Sequence, residues 1–145
     1  LSAERWEQLE RESRERRLGG LIAPNFAIGA ILMMELADRV AEHMSHCEII
    51  EFHHPGKLDA PSGTALRTRD RLQRRPGVGE VPIHSVRLPG YLAHQEVIFG
   101  STGERLSIRH DTLDRTCFMP GVLLGIRKVV EIDTFVLGLE HFLKS

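Results

Sequence analysis

The spacing of apolar positions changes along this chain, and each change marks a predicted element. Over residues 3–17 only Trp6, Leu9 and Ser13 form a stripe among charged side chains. That pattern predicts a surface helix capped by Ser2, with Glu4 well placed in its first turn and Gly19-Gly20 as its stop. Leu21-Ile22-Ala23 is an apolar run of strand length, broken by Pro24, and Asn25 is placed to cap the next helix. That long helix is predicted from Phe26 to His46. It is apolar almost all round at first, through Ile28, Ala30, Ile31, Leu32, Met33 and Met34, then narrows to a stripe of Leu36, Ala37, Val40, Ala41 and Met44. It reads as the central core helix, with the methionines as core filler.

A strand-like run at 48–53 leads into a polar loop and a helix predicted over 65–75, ended by Pro76-Gly77-Val78-Gly79. Strand-like runs follow at 83–88, 94–99 and 105–111, with Pro89-Gly90 and Ser101-Thr102-Gly103 as turns. In the last run Leu106 and Ile108 alternate with Arg105, Ser107 and Arg109, the period-2 pattern of a sheet wet on one face. A helix at 119–130 carries Pro120 near its first turn, and a short apolar tail, 135–143, closes the chain. The order predicts an α+β fold, with a mixed sheet of about four strands packed with helices.

Composition narrows the function. A chain of 145 residues can bury one ordinary core, and a net charge of -1 argues against a binder that neutralises nucleic-acid phosphates. The basic stretch Arg67–Arg75 reads as a solvated helical face. The longest apolar run, Ala27–Met34, falls far short of the ~20 residues that span a bilayer. Cys47 and Cys117 form no CxxC pair and no metal spacing, so reduced thiols in a cytoplasmic protein and no metal are expected. The chain begins at Leu1 rather than Met, which leads us to expect a fragment.

The chemistry concentrates between the strand at 48–53 and the helix at 65–75. His53 and His54 can exchange a proton near neutral pH, Lys57 adds a positive charge, and Ser62-Gly63-Thr64 precede a helix start whose N–H groups favour an anion. Adjacent strand residues face opposite ways, so one histidine faces substrate and the other faces structure, unless the chain turns at Pro55-Gly56. Taken singly, each residue has a bland role: a helix cap, a loop-holding Asp59, a hydrogen-bonded histidine. Together, within twelve residues, they point to a site that holds a carboxylate and moves a proton.

At these residues the chain resembles the dihydrodipicolinate reductase family. The resemblance rests on Glu51-x-His53-His54-x2-Lys57-x-Asp59-Ala60-Pro61-Ser62-Gly63-Thr64-Ala65 and extends over nearly the whole chain. Residues 22–29, 85–90 with 93–96, 103–110 and 115–121 share in it. It implies reduction of a cyclic dicarboxylate bearing a conjugated imine, with NADPH or NADH as hydride donor. It further implies His53 as proton donor and acceptor, Lys57 as second proton donor, and His54, Gly63 and Thr64 as substrate contacts. Ala23, Pro24, Asn25, Phe26, Arg115 and Phe118 would lie near the cofactor. A homotetramer through the sheet is implied as well. The family's Gly-rich phosphate loop, G-x-G-x-x-G, has no counterpart in this sequence. Residues 1–23 are therefore expected to be a remnant of a nucleotide-binding domain, 24–114 the substrate domain, and 115–145 a return segment at the junction. A non-catalytic module that binds dicarboxylates or assembles copies is the alternative.

Overall fold

A computed structural model describes residues 2–143. The chain forms two compact units, one of residues up to Ile28 and from Phe118 onward, the other of Gly29–Cys117.

In the first unit, α1 (Ala3–Arg16) starts on Ser2, whose side chain accepts from the Arg5 N–H. Its end differs from expectation. Arg17, not a glycine, takes the left-handed conformation (φ 52°, ψ 46°) and closes the helix, while Leu18 N–H donates to Ser13 O at 2.9 Å. The glycines serve packing instead. Gly20 begins β1 (Gly20–Ile22), and a Cβ there would run into the Phe135 ring. β1 pairs in parallel with β6 (Phe135–Leu137), a strand too short to show any period within the apolar tail. Trp6 meets Phe135 edge-on, with centroids 4.9 Å apart. In α4 (Met119–Val129), which has proline in its first turn as expected, Gly121 lies directly against the Phe26 carbonyl.

The second unit is a four-stranded sheet in the order β3-β2-β4-β5, with α2 (Ile28–Val40) and α3 (Gly63–Leu72) contributing to its core. The strands are β2 (His46–His53), β3 (Ile83–Arg87), β4 (Ala93–Ser101) and β5 (Glu104–Thr112). β2 runs parallel to β3 and antiparallel to β4, so the sheet is mixed and the fold α+β, as expected. α2 is shorter than its stripe suggested. Ala41 and Met44 still bond back to Ala37 and Val40 at 2.9 Å, which keeps their side chains inward after regular helix has ended and before β2 begins at His46.

Register fixes which residues share a face. Cys47 lies opposite Phe99, Ile49 opposite Val97, Glu51 opposite Gln95 and His53 opposite Ala93. The first two pairs join Ala37, Ala41, Ala65, Leu72 and Val81 in the core. Each fully buried Leu, Ile or Phe there is worth about 1.5–3 kcal/mol relative to exposure. A charge network holds α2 to the end of α3: Arg75 reaches both carboxylate oxygens of Asp38, at 2.7 and 2.5 Å. No described helix is long and apolar enough to cross a membrane.

Candidate active site

The inner face of the sheet turns polar toward the carboxyl ends of β2 and β3. Ligands commonly bind at such an end of parallel strands. Glu51 sits there with no exposed surface. A buried carboxylate without partners costs several kcal/mol, so its neighbours decide whether it survives. Arg87, on parallel β3 two positions beyond Ser85, which lies opposite Glu51, grips it with Nη1 to Oε2 at 2.9 Å and Nη2 to Oε1 at 2.7 Å. Ser62 N–H adds a bond to Oε1 at 3.3 Å, and His53 Nδ1 meets Oε2. Burial pushes the carboxyl up, but hydrogen bonds from Arg87, Ser85 and His53 together hold it below the usual range. Glu51 is therefore an acceptor only.

His53 ends β2 on the same face, two residues on, and its side chain is 13% exposed. Burial, opposed by Glu51 and assisted by Lys57 and Arg87, lowers its pKa below the ordinary value. Neutral imidazole is thus its resting form near pH 7. The chain turns directly after it: Lys57 N–H donates to His54 O at 3.1 Å. His54, beyond the end of β2, is exposed beside Gly56, whereas His53 is half-buried. Lys57 Nζ lies 2.7 and 2.9 Å from the oxygens of exposed Asp59, whose carbonyl accepts from Arg87 at 2.8 Å. Asp59 thereby ties the loop to the clamp beneath it, the holding role its position suggested.

α3 starts on Ser62, which is buried, accepts from Ala65 N–H at 3.2 Å and so caps the helix two residues earlier than the periodicity indicated. Thr68 braces the first turn by donating to Thr64 O at 2.9 Å, and buried Gln95 donates to Thr68 at 2.8 Å. Gly63 is exposed, and a Cβ built on it would meet nothing within 4 Å. Internal packing does not require glycine there. An open lip over first-turn N–H groups is what an anion needs. His53, Lys57, Gly63 and Thr64 thus belong to one strand, loop and helix start in a single unit.

The expected cofactor contacts are differently placed. Ala23, Pro24, Asn25 and Phe26 belong to the first unit, where Asn25 Oδ1 accepts from Ala27 N–H at 2.8 Å and Phe26 packs against α4. Phe118 is in that unit too, whereas Arg115 is exposed in a 3₁₀ turn (Arg115–Phe118) and falls in the second. Among the described residues no group of three or more His, Cys, Asp or Glu could hold a metal. Both cysteines are free. Glu51 and Arg87 were not among the candidate site residues. A signal existed: a charged residue at an inward position between Ile49 and His53 requires a buried partner.

Fold and geometry define an α+β domain in which a half-buried histidine at a strand end and a capped helix start belong to one unit. The family description "Dihydrodipicolinate reductase, C-terminus" matches residues 29–143, and the chain belongs to that family. The 4-hydroxy-tetrahydrodipicolinate reductase of Synechocystis sp. is 48% identical over 164 residues, covering 99% of this chain and 60% of the relative. That of Lactococcus lactis is 50% identical over 151 residues, covering 90% and 58%. The solved structure of dipicolinate-bound dihydrodipicolinate reductase from Paenisporosarcina sp. TG-14 superposes with a TM-score of 0.87 at 41% identity, over 97% of this chain and 61% of that one. The chain spans about three fifths of these relatives' lengths.

Proposed function

We propose that this chain is the substrate-binding and catalytic part of an NADPH- or NADH-dependent reductase. The reaction converts 4-hydroxy-tetrahydrodipicolinate to tetrahydrodipicolinate in lysine and diaminopimelate synthesis in the cytoplasm. The observation that carries this reading is the juxtaposition of His53, Lys57 and the open helix start at Gly63. One substrate carboxylate lies on the Gly63-Thr64 turn, with His54 as a further contact. Lys57 steadies the dianion, exchanging its bond to Asp59 for one to substrate, and serves as second proton donor. His53 transfers the proton that accompanies reduction, and water leaves, so that hydride, proton and the lost hydroxyl balance.

The cofactor supplies hydride when bound. The 23–26 segment and Phe118, both in the first unit, are the contacts the family resemblance implies for its nicotinamide end. No Gly-rich loop is present to cradle a pyrophosphate. On this reading residues 1–23 and 115–145 go structurally with a nucleotide-binding domain, and 24–114 form the substrate domain. A second reading, a module that binds dicarboxylates or assembles copies without a redox step, draws on the outer sheet face. There Ile50, Phe52, Val86 and Ile98 are half-buried. A homotetramer through that face is compatible with either reading.

The two readings part in a reductase assay on the protein with its nucleotide-binding part present. His53→Gln should lower kcat by roughly 10²–10⁴-fold with KM little changed, as loss of a general acid requires. Lys57→Ala should damage both constants. Full turnover in both variants would contradict the reductase mechanism.

A further inference from the structure

The relation between Glu51, Arg87 and His53 goes beyond naming His53 as a proton carrier, although it rests on that reading. The Arg87 guanidinium is fully engaged at both Nη atoms. Nη1 donates to Glu51 Oε2 and to Val86 O (2.8 Å), and Nη2 donates to Glu51 Oε1 and to Asp59 O. Its Nε is buried with no partner among the described residues. Such a guanidinium is not offered to a ligand. What it does is fix Glu51, which has no exposed surface and lies two residues before His53 on the same strand face.

An ionised carboxylate can only accept. The hydrogen between Glu51 and His53 therefore resides on Nδ1, which leaves Nε2 with the lone pair. No described residue bonds to Nε2. We propose that Glu51, clamped by Arg87, is a positioning residue that locks His53 in the Nδ1–H tautomer, so that Nε2 is the atom that takes and returns the proton. An arginine-free pair would behave differently. A lone buried carboxylate would draw a proton onto the imidazole and hold it there as an ion pair, whereas the guanidinium divides the carboxylate's attraction and leaves His53 able to release its proton.

The test is heteronuclear NMR of the ¹⁵N-histidine-labelled chain across pH. Above its titration, unliganded His53 is expected in the Nδ1–H form. An Nε2–H form, or a mixture of tautomers, in the unsubstituted chain would overturn the proposal. Two variants give opposite signs. Glu51→Gln should move the His53 midpoint down and relax its tautomer preference, while Arg87→Gln should move the midpoint up. Equal signs, or no movement in folded variants, would also overturn it. If either variant fails to fold, the tautomer of the unsubstituted chain still decides. In the reductase assay Glu51→Gln should lower kcat roughly 10²-fold or more, with KM little changed and the pH profile displaced. The locked tautomer would stand even if His53→Gln left turnover intact, and that result would remove the reductase mechanism alone.

Discussion

Two halves of one sheet face can be compared directly, because β2 and β4 build both. At one end Cys47, Ile49, Val97 and Phe99 bury apolar surface beneath the helices. At the other, the same strands bring Glu51, His53 and Gln95 to that face. The apolar half needs only shape, since its contacts are non-directional. The polar half needs partners of defined geometry: a guanidinium for Glu51, a hydroxyl for Gln95, and a carboxylate for His53. Its buried charge does little for stability that apolar residues could not do better. We read the polar half as stability exchanged for an oriented imidazole.

Substitutions can break this comparison. Phe99→Ala and Glu51→Ala should each destabilise by about 3–5 kcal/mol in urea unfolding, the first through a cavity, the second by stranding the Arg87 charge. The double replacement Glu51→Leu with Arg87→Met should separate the halves. It is expected to be as stable as the parent or up to about 1–4 kcal/mol more so, while losing the fixed tautomer of His53. A double variant as unstable as Glu51→Ala would show that the clamp is structural. Thr68→Val should cost about 1–3 kcal/mol, because Gln95 Oε1 already lacks a partner and its Nε2 would lose one. Ser62→Ala should cost about 1 kcal/mol through the lost cap.

The halves should also differ in acid. His53 is lowered chiefly by burial. Glu51 is lowered because Arg87, Ser85 and His53 outweigh its burial. For both groups the unfolded chain binds more protons, so their contribution is fully present above the ordinary values near 6.5 and 4.5 and is lost as pH falls below these and through the lowered folded values. His110, lowered by burial, acts in the same direction as His53. Unfolding free energies measured between pH 8 and 4 should fall accordingly, with the upper step reduced in His53→Gln. A stability that rose on acidification would contradict the assigned directions.

The sequence made much of this visible, and for a physical reason. The loop chemistry lies within one short segment, and in β5 Leu106 and Ile108 alternate with Arg105, Ser107 and Arg109, so both survive as local patterns. The Arg87 clamp does not, because 36 residues separate it from Glu51 and only β2–β3 pairing joins them. Inward parity at Glu51 signals a need for a partner without naming one. The end of α2 was overrun because Ala41 and Met44 keep helical hydrogen bonds after regular helix stops. β6 is too short to carry a period, and pairing with β1 gives it its form.

The most direct test of the proposed site is a ¹H–¹⁵N map of the chain titrated with pyridine-2,6-dicarboxylate. The amides of Gly63 and Thr64 and the His53 ring should move together, and Lys57→Ala should weaken the binding that moves them. Shifts confined to the open groove at the opposite end of the sheet, about 620 Å³ and lined by Ser45, His46, Glu48 and Glu80, would contradict it, as would no shifts at all.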